Sequence, residues 1–125
     1  MILKILSVFI GGGCGAVLRY LLSVLSSRFF SLPLYGTFCA NLLGCLLIGY
    51  IFGIMFNKIV IMPENVKLLL TAGFLGGLTT FSTLNLETFE LFRCGKVLEG
   101  GIYLISSCIF GLLLVYCGFR LSAWN

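Results

Sequence analysis

Gly73-Phe74-Leu75-Gly76-Gly77-Leu78-Thr79-Thr80-Phe81-Ser82-Thr83 is the stretch on which the fold turns. It lies within a hydrophobic segment long enough to cross a membrane, yet it makes a poor uninterrupted helix. Glycine costs about 1 kcal/mol per residue relative to alanine in a helix interior. Consecutive threonines lose rotamer freedom and compete for backbone hydrogen bonds. A spanning helix that breaks exposes amides and carbonyls that hydrocarbon cannot satisfy. Such a break is tolerated where it is buried in protein, binds an ion or lines a watery path. The stretch predicts a third span broken at mid-membrane, in a chain that handles ions or solutes.

The composition agrees with that setting. The chain has 125 residues, 60% hydrophobic and 10% charged, with a mean hydropathy of +1.17. About a quarter of the residues of a soluble domain are charged, so that class is excluded. Residues 29–57, 68–86 and 100–119 carry no charge, and 5–26 carry only Arg19. A spanning helix needs about 20 mostly apolar residues. The expected fold class is an all-α membrane protein. Residues 1–125 form a single domain of four transmembrane helices, at about 4–26, 34–56, 65–92 and 98–121. The linkers fall around Arg28–Pro33, Asn57–Glu64 and Arg93–Val97. This leaves no length for an ATPase or a large catalytic domain, and no catalytic residue or nucleic-acid partner is expected. The N-terminal run is a weak match to a signal peptide, because Arg19 and another apolar turn come directly after it.

The six cysteines, at 14, 39, 45, 94, 108 and 117, form no Cys-x-x-Cys pair, and the chain has no histidine. That argues against zinc and for cysteine as a small packing residue. The net charge of +4 matters less than its distribution. Lys4, Lys58, Lys67 and Arg120 fall on one side of the membrane; Arg28, Arg93 and Lys96 fall on the other, with Arg19 near that end. Lysine and arginine bias sets orientation. A balanced count sets none, which suits insertion in both orientations and an antiparallel dimer; a fixed topology with a weak signal is the alternative.

Gly11 and Gly15, and Gly49 and Gly53 with Gly44 below them, are Gly-x-x-x-Gly steps that let helix backbones approach closely. Pro63-Glu64 suits the opening of the third helix, and Gly95 its end. Arg19 either faces an aqueous cavity or snorkels to the interface beside Tyr20. In both cases it gives that mouth a positive potential. Asn41 is the strong amide of the second span. It serves either as glue between helices or as a donor to a passing ion.

Beyond the break, Thr80, Thr83 and Glu87 lie on one stripe and Phe81, Leu84 and Thr88 on the next. Tyr103, Ser107 and Gly111 share a face of the fourth span, with Ser106 beside them. The groups are mostly neutral donors, and no acid occurs in the first 63 residues. A cation pathway shows carboxylates or carbonyl rings. Donors with an arginine at the mouth suit a small anion.

Three motifs resemble the Fluc/CrcB family of fluoride channels. Gly11-Gly12-Gly13-Cys14-Gly15-Ala16-Val17-Leu18-Arg19-Tyr20 is similar to its opening motif. Gly36-Thr37-Phe38-Cys39-Ala40-Asn41-Leu42-Leu43-Gly44 is similar to its second, and Gly73 to Thr83 to its signature. The resemblance implies an antiparallel, dual-topology homodimer with two fluoride pores in a bacterial inner (plasma) membrane, surrounded by lipid. It implies a structural sodium ion (Na+) at the dimer interface, held by the backbone carbonyls of Gly76 and Thr79. It implies a fluoride pore of Asn41, Phe81, Ser82, Thr83, Tyr103 and Ser107, and a vestibule with Arg19 and Glu87. The family's second phenylalanine is Leu84 here, and the last hydroxyl of its fourth-helix track is Gly111.

The function implied is passive, selective export of cytoplasmic fluoride, relieving its toxicity. One rival is a small dual-topology drug–proton antiporter, which needs a carboxylate in the first span where this chain has Arg19. The other is a membrane assembly subunit that transports nothing.

Overall fold

The computed structural model describes residues 1–29, 34–57 and 60–123. Among them are four helical spans long and apolar enough to cross a membrane: Ile2–Phe29, Leu34–Phe56, Glu64–Arg93 and Val97–Ser122. The first, second and fourth are single helices, α1 (Ile2–Phe29), α2 (Leu34–Phe56) and α6 (Val97–Ser122). The third is composite: α3 (Glu64–Leu68), a π-helical segment (Leu69–Leu75), α4 (Gly76–Leu78) and α5 (Phe81–Arg93). Arg28, expected in a linker, sits instead in the last turn of α1, where a cation complements the helix dipole. The rest of that linker, 30–33, lies outside the described residues, as does Lys58.

The contacts set the direction of every span. Lys4 pairs with Glu64 at 2.7 Å. Gly11 faces Leu69 and Phe74, and Gly15 faces Phe74 and Leu78, so α1 and the third span run parallel. Gly49 faces Val115, and Gly53 faces Phe119 and Ser122, so α2 and α6 also run parallel. Gly36 against Ser23 and Ser26 makes α1 and α2 antiparallel, and Gly100 against Leu91 and Phe92 does the same for α5 and α6. The result is an up-down-up-down bundle. Short connections and strongly apolar helices produce it, and small residues hold it. Lipid tails supply no hydrophobic drive between helices, so close van der Waals approach of backbones does that work. A Cβ added at Gly11, Gly15, Gly49 or Gly118 would meet neighbouring backbone atoms.

The glycines of the third span do not end its helix. Gly73 lies within the π-helical segment and Gly76 and Gly77 within α4. Gly73 and Gly77 lie against the backbone of α1 at Gly11, Gly12 and Ala16. Their role is close approach. The chain leaves helical angles two residues later, at Thr79 (φ −86°, ψ 152°) and Thr80 (φ −150°, ψ 114°). A wide π turn is rare and frequently marks a functional site. Here it lies just ahead of that departure.

The predicted punctuation holds with one adjustment. Pro63 is the cap residue (φ −54°, ψ 143°) rather than the first helical residue, and Glu64 opens α3. Gly95 ends α5 at φ +75°. The Lys96 amide donates back to the Leu91 carbonyl at 2.9 Å and so closes the helix end.

Candidate functional site

One stripe of α2 meets the third span. Thr37, Asn41 and Gly44 stand at i, i+4 and i+7, on one helix face. Gly44 faces the methyl of Thr79. The Asn41 side chain binds both ends of Thr80: its Oδ1 accepts from the Thr80 amide at 2.7 Å, and its Nδ2 donates to the Thr80 carbonyl at 3.2 Å. Both polar atoms of the side-chain amide are thereby engaged. Nδ2 carries two protons, so a second N–H remains.

Thr80 organises the start of α5. Its hydroxyl caps the helix by accepting from the Thr83 amide at 3.2 Å, as a threonine at an N-cap does. It also donates to Thr83 Oγ1 at 3.0 Å and lies 3.2 Å from Ser82 Oγ. Three predicted hydroxyls thus meet at one point. Thr79 instead donates its hydroxyl back to the Leu75 carbonyl at 2.9 Å, and Thr88 donates to Leu84 at 2.8 Å.

The departure redirects two amides. In an unbroken helix the Thr80 amide would close on the Gly76 carbonyl and the Thr83 amide on the Thr79 carbonyl, each four residues back. Here the first goes to Asn41 and the second to the Thr80 hydroxyl. Gly76 and Thr79 therefore lack the donors that a continuous helix would give their carbonyls.

A second polar cluster lies one turn away along α2. Glu87 of α5 accepts from the Thr37 hydroxyl at 2.8 Å through Oε1 and from the Tyr103 hydroxyl at 2.7 Å through Oε2. A single carboxylate thus joins α2, α5 and α6. Tyr103 and Ser107 are buried, at 7% and 8% exposure. Ser107 donates to the Tyr103 carbonyl at 2.7 Å, and Ser106 donates to the same oxygen at 3.1 Å. Phe38 stands beside the Tyr103 ring, centroids 6.3 Å apart.

A groove of about 590 Å³ joins the first cluster to α6. Its wall includes Asn41, Gly76, Thr79, Thr80, Phe81 and Ser107. Phe81 is 73% exposed on this chain. Ser82 and Thr83 reach the cluster through Thr80, and Tyr103 with Glu87 forms the second cluster. Arg19 is brought to neither: it is half-buried on α1, and no ion pair involves it among the described residues. Thr37 is a site residue that sequence reasoning missed. Its signal was available, since it stands one helical turn before Asn41 on the same face.

Among the described residues no three His, Cys, Asp or Glu side chains gather as a metal site. A cation at this place would rest on neutral carbonyl oxygens. Gly76 and Thr79 fit that requirement, because unwound backbone carbonyls are the ligands that membrane proteins offer to sodium.

The family described as "CrcB-like protein, Camphor Resistance (CrcB)" matches residues 6–119. The chain is 40% identical over 124 residues to the fluoride-specific ion channel FluC 2 of Staphylococcus saprophyticus, covering 97% of this chain and 98% of that one. It is 41% identical over 114 residues to the fluoride-specific ion channel FluC of a Hydrogenobaculum species, covering 90% and 92%. It is 41% identical over 115 residues to the FluC of Pyrococcus furiosus, covering 92% of each.

Proposed function

The chain belongs to the CrcB-like family, and from that premise we propose that it is a fluoride-selective channel exporting cytoplasmic fluoride passively across a bacterial plasma membrane. The observation that carries this reading is the end-to-end likeness to proteins named fluoride-specific ion channels. The antiporter and assembly-subunit readings gain no support from these relatives.

The physical chemistry is simple. Fluoride enters from acid surroundings as neutral HF, ionises at neutral internal pH and is trapped. A membrane potential negative inside drives the anion out. One charge moved through 100 mV is worth about 2.3 kcal/mol, so no ATP site is needed. Fluoride is small and strongly hydrated, and closely spaced donors must replace its water shell. Asn41 has one N–H to spare, and Ser82, Thr83, Tyr103 and Ser107 carry hydroxyl protons that rotate to suit an acceptor. Phe81 presents the positive edge of its ring. Chloride is too large for that spacing. Glu87 is held by Thr37 and Tyr103 at the next step, and Arg19 makes one mouth attractive to anions.

The working unit is an antiparallel homodimer with two pores. Support comes from the near-even division of basic residues. Lys4, Lys67 and Arg120 share one end of the bundle, and Arg28, Arg93 and Lys96 share the other. The third span is broken at mid-bilayer, and the carbonyls of Gly76 and Thr79 hold a structural sodium ion at the interface, where it supplies fixed positive charge. The test is efflux from liposomes that contain the purified protein. Fluoride leaves down its gradient while chloride stays; vesicles that hold their fluoride overturn the proposal.

A further inference from the structure

We infer that Asn41 and Thr80 are the positioning residues of the cation site: each takes up one amide that would otherwise close on a carbonyl needed there. This deepens the channel reading and rests on it. The inference starts from the paired count of donors and acceptors. A backbone carbonyl inside a helix is already committed to the amide four residues on, and a committed oxygen is a poor ligand. Freeing it leaves that amide in need of a partner, because a buried N–H without one is costly.

The structure supplies one side-chain acceptor for each amide. Asn41 Oδ1 receives the Thr80 amide at 2.7 Å, which removes the helical donor of Gly76. Thr80 Oγ1 receives the Thr83 amide at 3.2 Å, which removes the helical donor of Thr79. The two carbonyls released are the two that a sodium ion would use. The Asn41 Nδ2 bond to the Thr80 carbonyl, 3.2 Å, prevents the peptide from turning back to helix. Gly44 admits the Thr79 methyl against α2 and holds the first of the two extended residues in place. Asn41 thereby touches both functions. One of its N–H groups fixes the backbone and the other is left for the pore, so sodium occupancy and fluoride passage are linked through a single amide.

The experiment measures sodium binding as well as flux. Purified dimers in detergent are titrated with sodium chloride against N-methylglucamine chloride. Binding is tracked by 23Na relaxation and by the rise in melting temperature. Three variants are compared with wild type: Asn41→Leu, Thr80→Val and Thr80→Ser. Removing a group that orients a metal ligand costs roughly 10- to 100-fold in affinity. Asn41→Leu and Thr80→Val should weaken sodium binding by that order and lose the sodium-dependent rise in melting temperature. Thr80→Ser keeps the hydroxyl and should restore both. Thr80→Val decides the matter if Asn41→Leu does not fold.

Mere glue between helices would lower the melting temperature equally in both salts, and that outcome overturns the inference. So does wild-type sodium affinity in a folded variant. No saturable sodium binding by the wild-type protein overturns the cation site itself, and the assignment with it. Failure of fluoride efflux, by contrast, is read in the liposome experiment alone.

Discussion

Two polar clusters stand against one stripe of α2, a turn apart, and they use their hydrogen bonds differently. At Asn41 and Thr80, the principal bonds begin or end on a peptide group of the third span. At Glu87, two side-chain hydroxyls from two other helices meet one carboxylate. The first cluster determines where the backbone goes. The second determines where a charge sits. Damage to the first should therefore appear in stability and cation binding, and damage to the second in electrostatics with the helices left in place.

The largest effect expected is that of Asn41→Leu. The substitution keeps the volume and removes both bonds to Thr80. An unpaired buried polar group costs about 1–3 kcal/mol, and two are created, so the loss should be on the order of 3 kcal/mol. Denaturant unfolding in micelles measures it. An unchanged midpoint would mean that the Thr80 amide finds another partner, and the contrast between the clusters would dissolve.

Tyr103→Phe comes next. It deletes the hydroxyl that donates to Glu87 at 2.7 Å. A hydrogen bond to a charged group is worth about 1.5–3 kcal/mol, so the loss should approach 2 kcal/mol. A double-mutant cycle with Glu87→Gln should show strong coupling, since the two groups touch. Additive effects would show that the carboxylate is held by Thr37 alone. Thr80→Val is smaller, about 1 kcal/mol for the lost cap. The same unfolding assay, run beside Thr80→Ser, separates the hydroxyl from the methyl.

The contrast also explains what the sequence could and could not disclose. Uncharged runs mark the four spans because charge is expensive in hydrocarbon. The helices nevertheless pass beyond those runs: α1 reaches Phe29 with Arg28 in its last turn, because a long basic side chain snorkels from a helix end. Glycine spacing discloses the tight seams. It misleads at Gly73, Gly76 and Gly77, where helix-breaking propensity yields to packing against α1 and the threonines carry the departure.

Nothing in Leu-Leu-Thr-Ala-Gly-Phe-Leu distinguishes a π turn from an α turn, since its register is settled by the neighbouring helix. The clusters themselves are pairings across distance. Asn41 meets Thr80, 39 residues on, and Thr37 meets Glu87, 50 residues on. Residue types could nominate Asn41, Thr80 and Glu87. Their partners were fixed by the antiparallel packing of α2 on α5, which no local pattern encodes.

The smallest change expected in stability is that of Phe81→Leu, and it tests the contrast from outside both clusters. Phe81 opens α5 and lies on the groove wall, yet it is 73% exposed on this chain. It makes no side-chain bond that either cluster depends on. A substitution away from packing and polar networks moves stability by no more than about 0.5 kcal/mol, and Leu keeps the apolar character. If the ring edge meets fluoride in the pore, the same variant should slow fluoride efflux by about tenfold, the rate equivalent of about 1.4 kcal/mol. Stability and flux would then separate at Phe81, whereas at Asn41 they would fall together. Equal flux from the variant and the wild type, with the fold intact, would take the ring out of the path and leave the groove without its aromatic wall.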